Sequence, residues 1–209
     1  MELEDFHIEK TSRSEAREFI IDHHYTGSCG YALMSWGLYH KDKLVGAMGF
    51  HTPISENVRK GIWKNEYEDE YKNYMTELHR LVTLDECPKN TESWFISRVL
   101  DKFKDYKPKY KVVISLADAT EGHKGTVYQA CSAKYYGTTD KKKFYKDDDG
   151  VLHPPRSGGE NITLADAKNR GWSVEQREAK HRYMFLLPDP YESKEDIIDK
   201  LSVKFKQYP

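Results

Sequence analysis

The chain has 209 residues, the length of one large domain or two small ones, of which 38% are hydrophobic and 32% charged. An aromatic share of 13% argues against a disordered chain, and no apolar run approaches the roughly 18 residues that a membrane span needs. Lys plus Arg (33) nearly cancels Asp plus Glu (34), so the net charge of −1 does not advertise a nucleic-acid partner.

The acidic start MELEDFHIEK is unlike a secretory signal. Cys29, Cys87 and Cys131 are widely spaced, without a CxxC or zinc-finger pattern, so reduced thiols in a cytoplasmic protein are expected. Ser12 with Glu15 reads as a capping box, and Ala16, Phe19, Ile20 and His23 follow at helical spacing to an end near His24. Strands over 31–39 and 43–50 flank the turn His40-Lys41-Asp42, a hairpin. Residues 53–76 read as a connecting loop and helix. Residues 77–84 alternate as a strand, with Leu78, Arg80 and Val82 on one side. Asn90 or Thr91 caps a helix presenting Phe95, Ile96, Val99, Leu100 and Phe103, ended by Pro108.

The β-branched run 110–116 is a buried strand, parallel to 77–84 because a helix joins them. A glycine-bearing loop leads from Asp118 to Gly125, and a short helix carries Val127, Tyr128, Ala130 and Cys131. Residues 137–163, with Pro154-Pro155 and Gly158-Gly159, read as a long loop, or as a hairpin pairing 143–146 with 151–153 across an acidic turn. Residues 181–187 form a last strand, and Ser193 caps a terminal helix containing Ile197, Ile198 and Leu201. No internal repeat is present. The order implies an α/β fold, a mixed β-sheet with helices packed on it, in one domain over 1–209 carrying an insertion at about 137–163.

The densest polar run is 115–128. Asp118, just past the carboxyl end of a buried strand, stands where α/β sheets place functional groups, and a loop-end carboxylate contributes little to a core. Asp118 and His123 are candidate bases or metal ligands, with turn-capping and loop hydrogen bonding as the alternatives. Arg80 is a candidate buried partner for Asp118. The helix start after Asn90 can meet phosphate, although it lacks the usual glycines. Lysines at 102–111 and at 134–146 can track a phosphate backbone.

The runs Glu77-Leu78-His79-Arg80-Leu81-Val82, Asn90-Thr91-Glu92-Ser93-Trp94 and Gly122-His123-Lys124-Gly125-Thr126-Val127-Tyr128-Gln129-Ala130 resemble the Mom family of bacteriophage DNA-modification proteins, divergent members of the GNAT acyltransferase superfamily. The resemblance implies a GNAT-like mixed sheet flanked by helices on both faces. It implies an enzyme that puts a carbamoylmethyl-type group on N6 of adenine in double-stranded DNA, protecting it from restriction, with acetyl-CoA as acyl-CoA donor and a bound iron (Fe2+ or Fe3+). Carried over residue by residue, it assigns catalysis to His24, Tyr25, Asp118 and Tyr128, the metal to His24, Asp118 and Tyr128, and the donor site to Arg80, Ser93 and Ser97. His24 is preferred to His23 because it adjoins Tyr25. Tyr25, Trp94, Tyr135 and Tyr136 are candidates to line the pocket of an extruded base. A GNAT N-acetyltransferase acting on a protein or small amine, and a non-catalytic DNA-binding anti-restriction module, are the alternative readings.

Overall fold

The computed structural model describes residues 1–209 except Tyr31, Ile54, Gly158 and Gly159. Along the chain run β1 (Phe6–Lys10), α1 (Arg13–His23), β2 (Met34–His40), β3 (Lys43–His51), α2 (Glu56–Gly61), α3 (Glu68–Tyr71) and β4 (Met75–Thr83). Next come α4 (Thr91–Tyr106), β5 (Val112–Ala117), α5 (Thr126–Ala130), β6 (Lys134–Thr138), β7 (Lys142–Lys146) and β8 (Leu152–His153). The last are β9 (Arg156–Ser157), β10 (Glu160–Asn161), α6 (Leu164–Asn169), β11 (Ser173–Arg177), β12 (His181–Leu186) and α7 (Lys194–Lys200). Two compact units result. One comprises Met1–Leu116, Gly125–Gly137 and Arg182–Pro209, the other Ala117–Lys124 and Thr138–His181.

The larger unit is built on a seven-stranded sheet in the order β1-β2-β3-β4-β5-β12-β6. It is mixed, because β1 to β4 pair antiparallel whereas β4 and β5 are parallel, as the α4 crossover between them requires. Helices cover both faces. Gly37 pairs with Ala47, which packs against Ala16 and Ile20 of α1. The next residue, Trp36, points the other way and meets Tyr106 of α4. The expected α/β architecture of a mixed sheet with flanking helices is therefore present. A second apolar cluster joins Met75, Val112, Ile114 and Met184 of the sheet to Ile197 of α7 and to Trp63.

Several elements differ from the sequence reading. β1 was not expected, because Phe6-His7-Ile8-Glu9-Lys10 buries only Phe6 and pairs as an edge strand. The first hairpin strand begins at Met34, and Tyr31, its expected start, lies outside the described residues. Only half of the first capping box forms: Ser12 accepts from the Glu15 N–H, while the Glu15 carboxylate accepts from the Thr11 hydroxyl. Asn90 precedes α4 with a left-handed backbone (φ 71°) and no side-chain cap. The Thr91 hydroxyl instead donates to the Pro88 carbonyl.

The strand of 77–84 begins two residues earlier and contains a β-bulge. Phe50 pairs with Leu78 and Gly49 with Arg80, so His79 is the extra residue. Arg80 therefore shares a face with Val82 but not with Leu78, which corrects the simple alternation read from sequence.

The smaller unit is not a bare loop. β7 pairs with β8 (Tyr145 opposite His153) and on its other side with β11, a strand that the sequence reading lacked. The turn between β7 and β8 is organised by Asp147, which accepts from the N–H groups of Asp149 and Val151 and pairs with His153 Nε2 at 2.7 Å. The His153 ring stacks on Trp172 at 4.4 Å. Tyr145, Ile162 and Ala167 form this unit's core. Gly158 and Gly159, counted in the expected loop, lie outside the described residues.

Candidate functional site

In the larger unit β4 and β5 pair only from Met75–Val112 to Leu78–Ser115, although β4 continues to Thr83. The strands part at Ser115, whose buried hydroxyl donates to the Leu78 carbonyl at 3.1 Å. The Tyr128 hydroxyl reaches this point from α5. It shares a hydrogen bond with Ser115; burial pushes its pKa up, with Glu77 adding to the rise while Ser115 and Arg80 oppose it. Gly125 makes that approach possible. It opens α5 at φ +75°, and a Cβ there would lie 2.3 Å from the Tyr183 ring.

Around the bulge the segment after α1 lies against β4. Arg80 Nε donates to the Ser28 carbonyl at 3.1 Å and Nη1 to the His79 carbonyl at 2.9 Å. Gly30 approaches the His79 ring so closely that a Cβ would meet Nε2 at 3.1 Å. His79 in turn packs edge-on against His51, centroids 4.4 Å apart, and His51 Nε2 stands 3.8 Å from the Glu77 carboxylate. In the same segment His24 Nδ1 accepts from the Thr26 N–H at 3.2 Å, and its ring stacks on Tyr25 at 4.3 Å. Tyr25 is 54% exposed, whereas Tyr135 and Tyr136 are buried; of these three, only Tyr25 offers a face to a ligand. His23 packs on Phe19.

Ser93 Oγ donates to the Asn90 carbonyl in the first turn of α4. Ser97 hydrogen-bonds Cys131 and, with Lys104, Lys134, Lys194 and Phe185, lines a cleft of about 210 Å³. Burial pushes the thiols of Cys29 and Cys131 up, the first against the opposing charges of Arg80 and Arg17, so neither is an activated nucleophile.

Asp118 belongs to the smaller unit and is 5% exposed. Its Oδ1 accepts from the Thr120 N–H at 3.1 Å; its Oδ2 meets Lys180 Nζ at 2.8 Å and Arg177 Nη2 at 3.3 Å. Burial disfavours its charge, but Lys180, the Thr120 N–H and Arg177 outweigh that and hold the carboxyl below its usual range. Two expectations change here. The partners of Asp118 are Lys180 and Arg177 rather than Arg80, and the carboxylate is a structural tie rather than a dispensable loop end. His123 is exposed, and its N–H donates to the Asp118 carbonyl.

The profile of the Mom protein family matches residues 5–209. The chain belongs to the Mom protein family. It is 27% identical over 190 residues to the methylcarbamoylase mom of Escherichia phage Mu, covering 88% of this chain and 76% of that relative. Among solved structures it is similar to the ribosomal-protein-S18-alanine N-acetyltransferase from Escherichia coli (8% identity, TM-score 0.49, 87% of this chain and 94% of that one). It is also similar to yncA of Salmonella typhimurium, a putative acetyltransferase with its cofactor acetyl-CoA (9%, TM-score 0.48, 88% and 95%).

The family resemblance assigns a metal to His24, Asp118 and Tyr128, and each of the three already has partners of its own in this structure. Asp118 already accepts from three donors within its own unit. The Tyr128 hydroxyl shares its hydrogen bond with Ser115. His24 Nδ1 is held by Thr26, whose hydroxyl lies 2.9 Å and N–H 3.2 Å away. His51, Glu77 and His79 were not singled out from sequence. Their spacing carries no metal motif, and only the register of β3 on β4 brings them together.

Proposed function

We propose that this Mom-family chain is an acyl-transfer enzyme that places a carbamoylmethyl-type group on N6 of adenine in double-stranded DNA and so shields it from restriction enzymes. Membership of the Mom family supports the reading, and we assign the chemistry to the opening where β4 and β5 part. Acetyl-CoA supplies the two-carbon unit in this proposal, and its thioester C–S bond breaks with loss of the CoA thiol. The amide nitrogen and the two-electron oxidation at the methyl carbon that a carbamoylmethyl group requires come from an ammonia-level nitrogen donor and an oxidant supplied as co-substrates. The first turn of α4, which Asn90 leaves without a side-chain cap, suits the donor's phosphates, with Ser93 beside it and Ser97 one turn on.

Tyr128 is the proton donor. Burial keeps the phenol protonated at neutral pH, so it can protonate the leaving group of the donor. Arg80, fixed by the carbonyls of Ser28 and His79, supplies a positive charge of set direction at the same opening. The stacked His24–Tyr25 pair presents an exposed aromatic face suited to an adenine turned out of the duplex. Asp118 enters as a positioning residue that gathers Lys180 and Arg177. The lysines of β7 are proposed to track the DNA backbone, whereas Lys111 is removed from that role because it is buried between Asp189 and Glu192.

Plasmid DNA from cells expressing the chain tests the reading by digestion. Resistance to restriction enzymes with adenine in their sites, lost in a Tyr128→Phe chain, is expected. Complete digestion of plasmid from well-expressed, folded protein overturns it.

A further inference from the structure

The bulge in β4 creates a second constellation that the acyl-transfer reading does not use. His51 is the last residue of β3 and pairs directly with Glu77; His79, the extra residue of the bulge, follows two positions later on β4. One ligand atom from each of the three lies within 4.8 Å of the other two, which no other group of three His, Cys, Asp or Glu does among the described residues. His51 and Glu77 are nearly enclosed, their side chains 12% and 15% exposed.

The tautomer of His51 is fixed by its surroundings. Its Nδ1 lies 2.8 Å from the carbonyl oxygen of Thr52, which can only accept, so Nδ1 carries the proton. In the neutral ring Nε2 then presents a lone pair. That atom is buried, has no hydrogen-bond partner among the described residues, and faces the Glu77 carboxylate 3.8 Å away. A lone pair and a carboxylate turned toward each other repel, and the distance is too long for a hydrogen bond. A cation between them removes the conflict. Donors 3.8 Å apart can each stand about 2.0–2.1 Å from one ion at a wide angle, the usual metal–nitrogen and metal–oxygen distance. The Nδ1–H to backbone carbonyl bond is also the outer contact that commonly orients a ligating imidazole.

We propose that His51, Glu77 and His79 bind one divalent transition-metal ion. Two imidazoles and a carboxylate suit zinc or ferrous iron and leave positions for water or another ligand. The acyl-transfer reading is not needed for this assignment, and the site is distinct from the metal set that the family resemblance implies.

Cobalt(II) is the probe, titrated into the full chain after chelator treatment and followed by visible absorption and calorimetry. One Co2+ per chain is expected. His51→Gln and His79→Gln should each raise the Kd by ~100-fold or more, while His24→Gln and Tyr128→Phe leave it unchanged. In the unsubstituted chain, Co2+ should shift the ring resonances of His51 and His79, a readout that does not depend on any variant folding. The proposal is overturned if the chain takes up no stoichiometric Co2+, or if the His51 and His79 variants bind as the parent does. It is equally overturned if the His24 ring shifts while theirs do not. Loss of DNA modification with intact Co2+ binding would bear on the acyl-transfer reading alone.

Discussion

Replacing Asp118 by Ala removes three interactions inside the smaller unit at once. The first is the cap on Thr120, whose N–H lies 3.1 Å from Oδ1; a lost cap costs about 1 kcal/mol. The second is the bond from Lys180 at 2.8 Å, where the lysine is 42% exposed and regains water when the carboxylate goes. The third is the bond from Arg177 at 3.3 Å, and Arg177 keeps Glu121 at 2.8 Å and Glu175 at 3.8 Å. Charge-assisted bonds contribute about 1.5–3 kcal/mol each when both partners are buried, and here both cations retain alternatives, so a total near 2–4 kcal/mol is expected. The loss should be local as well as global. Thr120 accepts the Glu178 N–H through its hydroxyl at 2.9 Å, so amide exchange at Thr120 and Glu178 should accelerate together. The pH dependence has a fixed sign: a carboxyl held below its usual range stabilises fully above about pH 4 and loses that contribution as pH falls through its folded value. The gap between parent and Asp118→Asn should therefore narrow in acid. Urea unfolding combined with hydrogen exchange measures both effects. A change under about 0.5 kcal/mol with unaltered exchange would refute the structural role of Asp118.

Gly125→Ala combines a φ of +75° with a Cβ 2.3 Å from Tyr183, and should lower stability by roughly 3 kcal/mol in thermal or urea unfolding. Unchanged stability would contradict the described start of α5. Tyr128→Phe should keep the fold to within about 1 kcal/mol while reducing modification about 10²–10⁴-fold; activity near the parent level removes Tyr128 as proton donor. Neutralising Lys142, Lys143 and Lys146 should lower the slope of log K against log salt for duplex DNA by roughly three. An unchanged slope takes β7 out of the interface.

Much of the larger unit's fold was legible because its signals are local. The apolar stripe of α4, the β-branched run of β5 and the crossover between β4 and β5 follow from helical spacing, side-chain branching and connection length. β1 and β11 were not legible. Both pair through backbone groups; β1 exposes His7, Glu9 and Lys10, and β11 exposes Ser173, Val174 and Gln176, so neither carries a hydrophobic alternation to read. The site divides in the same way. Tyr128 and Arg80 were found through motif resemblance, but the partners of Asp118 lie 59 and 62 residues away on a stretch with no signal in the sequence. His51, Glu77 and His79 depend on a one-residue bulge, and alternation alone cannot announce where a strand breaks it. Lys111 illustrates the opposite failure: it sits in a lysine-rich run that looks solvated, yet it is buried against Asp189 and Glu192.

The claim that this Mom-family chain modifies adenine is tested most directly by nucleoside mass spectrometry of DNA from cells expressing it. DNA digested to nucleosides should contain a new deoxyadenosine derivative with a carbamoylmethyl-type substituent on N6, absent from cells expressing the Tyr128→Phe chain. Unmodified deoxyadenosine alone, from cells in which the folded protein is abundant, would contradict the account.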